Sequence, residues 1–178
     1  GDNDKAIAEY NKALEINPTF AEAYARRGSR YAVQGKVSEA LADYQKALSL
    51  DPSNATAYNN RGNARQVQGD LDGALADYNE ALRLNPKYAD AYNNRGAVRK
   101  DSGDLEGAMR DYNEAIRLDP NYINAYYNLG EVWEEKVNFT KAIADFQRYL
   151  DLGGGKRDGD QAEVEQRIRD LKKKAGIE

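Results

Sequence analysis

The residues able to do chemistry in this sequence are carboxylates, asparagine amides and arginines, because the chain has no histidine and no cysteine. Imidazole-based catalysis, histidine metal sites, thiolate chemistry and disulfides are thereby excluded. The carboxylates recur with one period along the chain, as the solvated faces of helices do, and no pair of them is isolated in an apolar setting that would raise a pKa. The sequence therefore predicts no enzyme and no cofactor.

Two local features near the C-terminus also fail as ligand sites. The three glycines from Gly153 to Gly155 are followed by Lys156, but the spacing is not that of a phosphate-binding loop after a strand. Asp158 and Asp160 could attract a cation, but their spacing does not match a calcium-binding loop. No metal ligand is predicted.

Composition narrows the class of partner. Lys and Arg number 26 against 30 Asp and Glu, which gives a net charge of −4 and argues against a nucleic-acid partner. Hydrophobic residues make up 40% and the mean hydropathy is −0.90, which suits a folded chain of thin helical layers. No apolar run is long enough for a membrane span, so no membrane partner is predicted. The chain starts at Gly1 without Met, and we interpret it as a fragment or a processed form.

The sequence is built from a repeat of 34 residues. The stretch 57–86 recurs almost unchanged at 91–120, without a gap, and this pattern is typical of a repeat array. Two anchor positions, each held by one residue type, recur every 34 residues. One is held by Tyr24, Tyr58, Tyr92 and Tyr126, and the other by Gly28, Gly62, Gly96 and Gly130.

Two helices can be read within each repeat. In the clearest copy, the first covers about 56–68, and Gly69 breaks it. Asp70 is suited to cap the second, which covers 71–84 and places its apolar residues on one face before Pro86 ends it. The small residues Gly62 and Ala74 would let the two backbones approach closely.

These patterns divide the chain into one all-α array. We predict a half repeat at 1–20, full repeats at 21–54, 55–88 and 89–122, a degenerate repeat at 123–156 and a capping helix within 157–178, all in one solenoid domain. The half repeat has an apolar face over 4–16 that something would cover in the natural protein. The three glycines are interpreted as a flexible joint to the cap, or alternatively as a bare linker.

The anchors identify a resemblance to the tetratricopeptide repeat family. Its period, helix-A aromatic, following Gly, helix-B Ala and closing Pro are all present, and four successive copies cover nearly the whole chain. The resemblance implies a right-handed α-solenoid of antiparallel helix pairs, in which the first helices line a concave groove. One departure recurs, because the family usually has Leu before the Gly, whereas this chain has Arg27, Arg61 and Arg95, and only Leu129 conforms.

Three aspartates accompany this departure. Asp43, Asp77 and Asp111 hold one position of the second helix, and Arg65 and Arg99 add a second guanidinium in two repeats. We predict bidentate bridges from Arg27, Arg61 and Arg95 to these aspartates. The alternative is that each arginine extends into solvent.

Asparagines form the second recurring feature. Asn is a mediocre helix former, yet it recurs in the middle of the first helix, where the family's groove lies. A row of amides could bond the backbone of an extended peptide, and the pattern resembles asparagine-ladder members of the family. The alternative is that duplication copied a neutral residue. The predicted peptide-binding residues are Arg26, Asn59, Asn60, Asn63, Asn93, Asn94, Tyr127, Asn128 and Glu131.

Charge along the predicted groove suggests the partner. Glu131, Glu134 and Glu135 make one end acidic, which favours a neutral to basic ligand or is a solvated charge run. The family's carboxylate clamp is rejected, because Asn59, Asn124 and Asn128 stand where its basic residues would.

The sequence thus favours a non-enzymatic module that binds an extended peptide or a partner helix. The alternative is a structural or assembly role, in which the chain associates with itself through the face at 4–16 or through its convex surface.

Overall fold

The structure is a computed structural model that describes residues 1–156 and 159–177. These residues form two compact units, 1–87 and 88–178, built from helices without strands. Arg157, Asp158 and Glu178 lie outside the described residues. The possible cation ligand Asp158 and both ends of the predicted capping segment 157–178 are therefore not described. Within the described part, no helix is both long and apolar enough to cross a membrane.

Unit 1 contains five helices, each packed on the next in sequence. They are α1 (Asp2–Ile16), α2 (Ala21–Val33), α3 (Val37–Leu50), α4 (Ala55–Gln68) and α5 (Leu71–Leu84). Unit 2 also contains five described helices, each packed on the next in sequence. Its helices are α6 (Ala89–Asp101), α7 (Leu105–Leu118), α8 (Ile123–Glu135), α9 (Phe139–Asp151) and α10 (Gln161–Ala175).

The helices alternate between two kinds, which we name A helices (α2, α4, α6 and α8) and B helices (α3, α5, α7 and α9). Asp70 caps α5 as expected, since its carboxylate accepts a hydrogen bond from the Gly73 N–H at 3.0 Å. The two A helices of each unit also contact one another, α2 with α4 and α6 with α8. Each unit therefore has its own face made from two A helices.

A glycine on each A helix and an aromatic ring on its B helix hold the pair together. A Cβ atom placed on Gly62 would lie 2.7 Å from Cε1 of Tyr78, closer than packed atoms tolerate. Tyr44, Tyr78, Tyr112 and Phe146 occupy this position in the successive repeats, and all are buried. The 34-residue spacing of Tyr or Phe and Gly is thus a packing requirement.

The hydroxyl groups of these tyrosines are not equally satisfied. The Tyr78 hydroxyl lies 2.7 Å from Asn63 Oδ1 and 3.1 Å from Gln66 Oε1. The buried Tyr112 hydroxyl has no hydrogen-bond partner among the described residues, since Ala97 and Lys100 stand at the positions equivalent to Asn63 and Gln66.

This difference predicts opposite effects for one substitution at two positions. Tyr78→Phe should lower the free energy of unfolding by about 1 kcal/mol, because it removes a satisfied hydrogen bond. Tyr112→Phe should leave it unchanged or raise it by up to about 1 kcal/mol, because it removes an unsatisfied buried hydroxyl. Chemical denaturation of both variants checks the pair, and equal losses would contradict it.

The glycine segment before α10 is a packed turn, which corrects the expectation of a flexible joint. Gly154 and Gly155 are buried, and Gly154 packs on the ring of Tyr149 where no Cβ would fit. The Gly155 N–H donates to the Tyr149 hydroxyl at 3.0 Å, and that hydroxyl lies 3.0 Å from Oδ1 of Asp160. This turn fixes where α10 begins.

Helix α10 covers the end of unit 2 with one apolar face. Val164, Ile168 and Leu171 are buried against Phe146 and Tyr149 of α9. Its lysines, Lys172, Lys173 and Lys174, are exposed. The helix therefore closes the apolar layer that α9 would otherwise leave open, as expected of a terminal cap.

Candidate functional site

The A helices are held in place by arginine–aspartate clusters buried against the B helices. Arg61 on α4 binds Asp77 on α5 through two hydrogen bonds, from Nε to Oδ2 at 2.9 Å and from Nη2 to Oδ1 at 2.6 Å. Arg65 adds a third, from Nη1 to Asp77 Oδ2 at 2.9 Å. The Arg61 guanidinium also lies over the ring of Tyr58, 5.4 Å from its centroid. The predicted bidentate bridge is confirmed.

The same bridge occurs in two further helix pairs. Arg27 binds Asp43 with two bonds of 2.7 Å, and Arg95 binds Asp111 with bonds of 2.9 and 2.7 Å. Arg99 joins Asp111 at 2.7 Å, as Arg65 joins Asp77. Arg27, Arg61 and Arg95 each directly follow an A-helix residue of the predicted peptide-binding set. The bridges therefore fix the rotation of that helix and the direction of the side chain before the arginine.

The fourth repeat keeps the aspartate but loses both arginines. Asp145 on α9 is equivalent to Asp77, while Leu129 and Trp133 replace the two arginines. Burial raises the pKa of Asp145 to about 6, although the Trp133 indole N–H donates to it and Lys141 lies nearby. The sequence-based expectation concerned only pairs of carboxylates and did not anticipate the raised pKa of this single aspartate.

We predict that Asp145→Asn stabilises the protein at neutral pH. Because the folded pKa of Asp145 lies above the unfolded value of 3.8, the native state loses stability as the pH rises from about 4 to above 6. The Asp145→Asn variant lacks this loss, so its free energy of unfolding should exceed that of the wild type by about 1 kcal/mol at pH 8, a figure reduced because Asp145 is partly exposed. Denaturation at pH 8 and at pH 3.5 checks this, since the difference should vanish at the lower pH.

In unit 1 the asparagine amides form a hydrogen-bonded row across α2 and α4. Asn59 is only 4% exposed, and its Nδ2 donates to Oδ1 of Asn60 at 3.3 Å. Asn60 in turn donates from Nδ2 to Ser29 Oγ on α2 at 3.4 Å. Asn63 is exposed one turn later, where its Oδ1 faces the Tyr78 hydroxyl. The row therefore links neighbouring A helices as well as facing solvent.

Unit 2 has an equivalent row on α6 and α8. Asn93 is 7% exposed and donates to Oδ1 of Asn94 at 3.5 Å, and Asn128 of α8 donates to Oδ1 of Asn93 at 2.9 Å. A pocket of about 220 Å³ opens beside this row. It is lined by Asn93, Asn124, Tyr127, Asn128, Tyr149 and Asp160.

Burial changes the interpretation of two predicted contact residues. Asn59 and Asn93 lie beneath the surface, so in this conformation their amides orient Asn60, Asn94 and Asn128 and do not face a ligand directly. Asn93 accepts a hydrogen bond from Asn128 of the neighbouring A helix, and the helical period alone did not reveal that either side chain is buried. Arg26, by contrast, is exposed and donates from Nε to Glu22 Oε1 at 2.6 Å.

Two of the three carboxylates of the predicted acidic end, Glu131 and Glu134, are paired within the protein. Arg167 of α10 donates from Nε to Glu134 Oε2 at 2.7 Å, and its Nη1 reaches Glu131 Oε1 at 3.3 Å and the Tyr127 hydroxyl at 3.2 Å. Lys100 of α6 binds the other oxygen of Glu131 at 2.6 Å. The sequence pattern indicated the α10 helix but not the place of Arg167, because the packed glycine turn sets that place.

Comparison with known proteins now decides the family. A family model described as TPR repeat matches residues 1–32, 28–69, 67–101 and 98–136, most of the chain. The chain belongs to the tetratricopeptide repeat (TPR) family. The resemblance and the all-α repeat fold expected from the sequence are confirmed. TPR proteins mediate protein–protein interactions and are typically non-enzymatic.

Solved structures agree with the TPR assignment. A crystal structure of MamA is 31% identical with a TM-score of 0.77 and covers 85% of this chain and 89% of that one. The first TPR of Spaghetti (RPAP3), bound to the HSP90 peptide SRMEEVD, is 33% identical with a TM-score of 0.64 and covers 66% of this chain and 93% of that one. Pseudomonas aeruginosa pilF, at 22% identity and a TM-score of 0.81, covers 97% of this chain and 84% of that one and supports the fold alone. No curated protein gives a significant match.

Proposed function

We propose that this protein is a non-enzymatic interaction module that binds an extended peptide or a partner helix on its A-helix faces through asparagine amides. The observation that carries the proposal is the exposure and hydrogen bonding of Asn60, Asn63 and Asn128. Each is at least partly exposed and uses only some of its hydrogen-bonding groups on described residues. Each amide offers two N–H groups and two lone pairs, so a ligand can still be bound.

The chemistry of the amide suits a peptide backbone. An extended backbone presents N–H and C=O groups in alternation, and a side-chain amide can donate to one and accept from the other. The arginine bridges and the internal amide bonds hold the asparagines in place before a ligand arrives, which reduces the entropy lost on binding. The Spaghetti domain, a relative with a peptide bound, supports a peptide as the kind of ligand.

The remaining predicted residues divide by their surroundings. Asn60, Asn63, Asn94 and Asn128 are proposed as contacts, and Asn59 and Asn93 as positioning residues. Tyr127 and Glu131 are engaged by Arg167, so a ligand reaching them would have to share or displace that guanidinium. Glu131 and Glu134 are paired with Arg167, so a preference for a neutral to basic ligand at this end would rest on Glu135.

Affinity capture from a lysate of the source organism tests the amide proposal. The triple variant Asn60→Ala, Asn94→Ala and Asn128→Ala should lose the partners that the wild type retains. A matched control replaces Asn11, Asn79 and Asn113, which are exposed at one shared position of α1, α5 and α7. That control should retain the partners. If the A-helix triple variant is folded, by circular dichroism, and captures the same proteins as the wild type, the amide proposal is wrong.

A second candidate is self-association through α1, which stands at the end of unit 1. Ile7 and Leu14 of the predicted face at 4–16 are buried, but Ile16 of α1 is 86% exposed and Phe20, just before α2, is 45% exposed, and exposed apolar residues often mark contacts. Light scattering over a range of concentrations tests it. A mass that rises with concentration and falls to the monomer in Ile16→Asp supports self-association at this end, and a constant monomer mass excludes it.

A further inference from the structure

The face formed by α2 and α4, here called the α2–α4 face, departs from the other repeats at its two helix ends. Val33 and Val67 occupy equivalent positions there and are 67% and 74% exposed. The equivalent positions of α6 and α8 hold Asp101 and Glu135. Two exposed branched residues where the later repeats have carboxylates create an apolar patch in unit 1, and such patches mark interaction sites.

The two valines border a defined pocket, here called the valine pocket. Its volume is about 320 Å³, and it is lined by Ala32, Val33, Val37, Tyr44, Ala64 and Val67, with Ser29, Asn60 and Asn63 completing the wall. This volume lies at the lower end of the range for small-ligand pockets and suits a single large side chain. No ionised side chain lines it.

A second pocket on the same face is positively charged. This arginine pocket has a volume of about 340 Å³, and among its lining residues are Glu22, Arg26, Arg30, Asn54, Thr56 and Asn60. Two guanidinium groups face one carboxylate there, an excess of one positive charge in a chain of net charge −4. Arg26 is paired with Glu22, so the excess charge is that of Arg30.

Arg30 is available to a ligand. It is exposed, and it forms no ion pair with any residue that the structure describes. Its equivalents in the next repeats are the buried residues Ala64, Val98 and Val132, so Arg30 is specific to α2. Burial raises the pKa of Tyr44, and the positive charge of Arg30 opposes that effect, which places the guanidinium near the tyrosine that lines the valine pocket.

The two pockets adjoin, since Ser29 and Asn60 line both. Arg30 and Val33 are three residues apart on α2, a rise of about 4.5 Å along the axis. Residues two apart in an extended peptide are separated by about 7 Å, and their side chains point to the same side. One extended segment can therefore place a side chain in each pocket while its backbone passes Asn60.

We propose that the α2–α4 face binds an extended peptide segment in which one large apolar side chain lies two residues from an acidic side chain. The apolar side chain occupies the valine pocket, and the carboxylate pairs with Arg30. Asn60, at the junction of the pockets, bonds the backbone between them. The inference rests on the proposed function, which it extends by naming the chemistry of the partner.

Selection from a displayed library of random nine-residue peptides on the intact wild-type protein tests the inference. Enriched peptides should carry Leu, Ile, Met or an aromatic residue two positions from Asp or Glu. Val67→Glu should weaken their binding about tenfold or more, because a carboxylate would face both the pocket and the peptide's acid. The matched control Val137→Glu changes another exposed valine, in unit 2, and should leave binding unchanged.

Charge reversal supplies the sharper readout. Arg30→Glu should weaken the enriched peptides and favour versions in which Lys replaces their acidic residue, an exchange that mere destabilisation of α2 would not produce. Enrichment of peptides without the apolar–acidic pair, absence of any enrichment, or no response to Val67→Glu and Arg30→Glu would each overturn the inference. If binding is lost in the triple asparagine variant but not in these two, the proposed function stands and the inference fails. The reverse pattern supports the pockets and rejects the amides.

Discussion

Asp77→Asn is expected to lower the free energy of unfolding by about 3 to 5 kcal/mol, the usual cost of removing one partner from a buried ion pair. Asp77 is buried and accepts charge-assisted bonds from both Arg61 and Arg65. Asparagine would place an N–H group against two guanidinium groups and leave their charge uncompensated beneath the A helix. Of the two arginines, Arg65 has another carboxylate close by among the described residues, with Asp70 at 3.6 Å.

Asp145 gives a matched control for this prediction. It holds the equivalent position in the fourth repeat but has Leu129 and Trp133 where Asp77 has arginines, so Asp145→Asn should stabilise at neutral pH. Denaturation of both variants at pH 8, followed by circular dichroism, compares the two aspartates directly. Losses of the same sign and size would show that the arginines contribute nothing specific to Asp77.

Leu171→Ala is expected to lower the stability of unit 2 by about 2 to 5 kcal/mol, the range for a large core residue replaced by alanine. Leu171 is 1% exposed and belongs to the cluster that joins α10 to Phe146 and Tyr149 of α9. Loosening α10 also frees Arg167, so Glu131 and Glu134 would lose their shared cation. The capping helix thus supports both the core and the charge balance of the α6–α8 face.

The single tryptophan makes this effect measurable. Trp133 packs against the cluster that contains Leu171, so its fluorescence reports on unit 2 during denaturation. Lys172→Ala changes a neighbouring exposed residue of α10 and is the control, with an expected change of less than about 0.5 kcal/mol. If Leu171→Ala unfolds at the same denaturant concentration as Lys172→Ala, α10 does not stabilise the unit.

The sequence indicated the parts of this structure that repeat. The period of Tyr58 and Gly62 reflects the packing of a ring on a backbone, and Pro86 and Asp70 mark where helices stop and start. The Arg61–Asp77 bridge was also predictable, because two unusual residues changed together at one repeat position. In each case a local rule and the tertiary contact depend on the same residues.

The parts that could not be predicted depend on tertiary contacts that do not recur with the 34-residue period of the sequence. Helical period places Asn59 beside Asn60 but does not show that Asn59 is buried while Asn60 is partly exposed, since that depends on tertiary packing. The place of Arg167 depends on a turn at Gly154 and Gly155 that occurs once. Burial raises the pKa of Asp145, and the sequence did not reveal this because Leu129 and Trp133, which stand where Asp77 has arginines, look like ordinary packing residues.

Protein labelled with ¹⁵N only at asparagine gives the most direct test of binding on the A-helix faces. Its side-chain amide resonances would be followed as a peptide recovered from the display selection is added. We predict shifts at Asn60 and Asn63, where the amides face the proposed ligand, and unchanged resonances at Asn11, Asn79 and Asn113 on α1 and the B helices. Shifts confined to Asn11, Asn79 and Asn113, with Asn60 and Asn63 unaffected, would place the ligand elsewhere and contradict the proposed function.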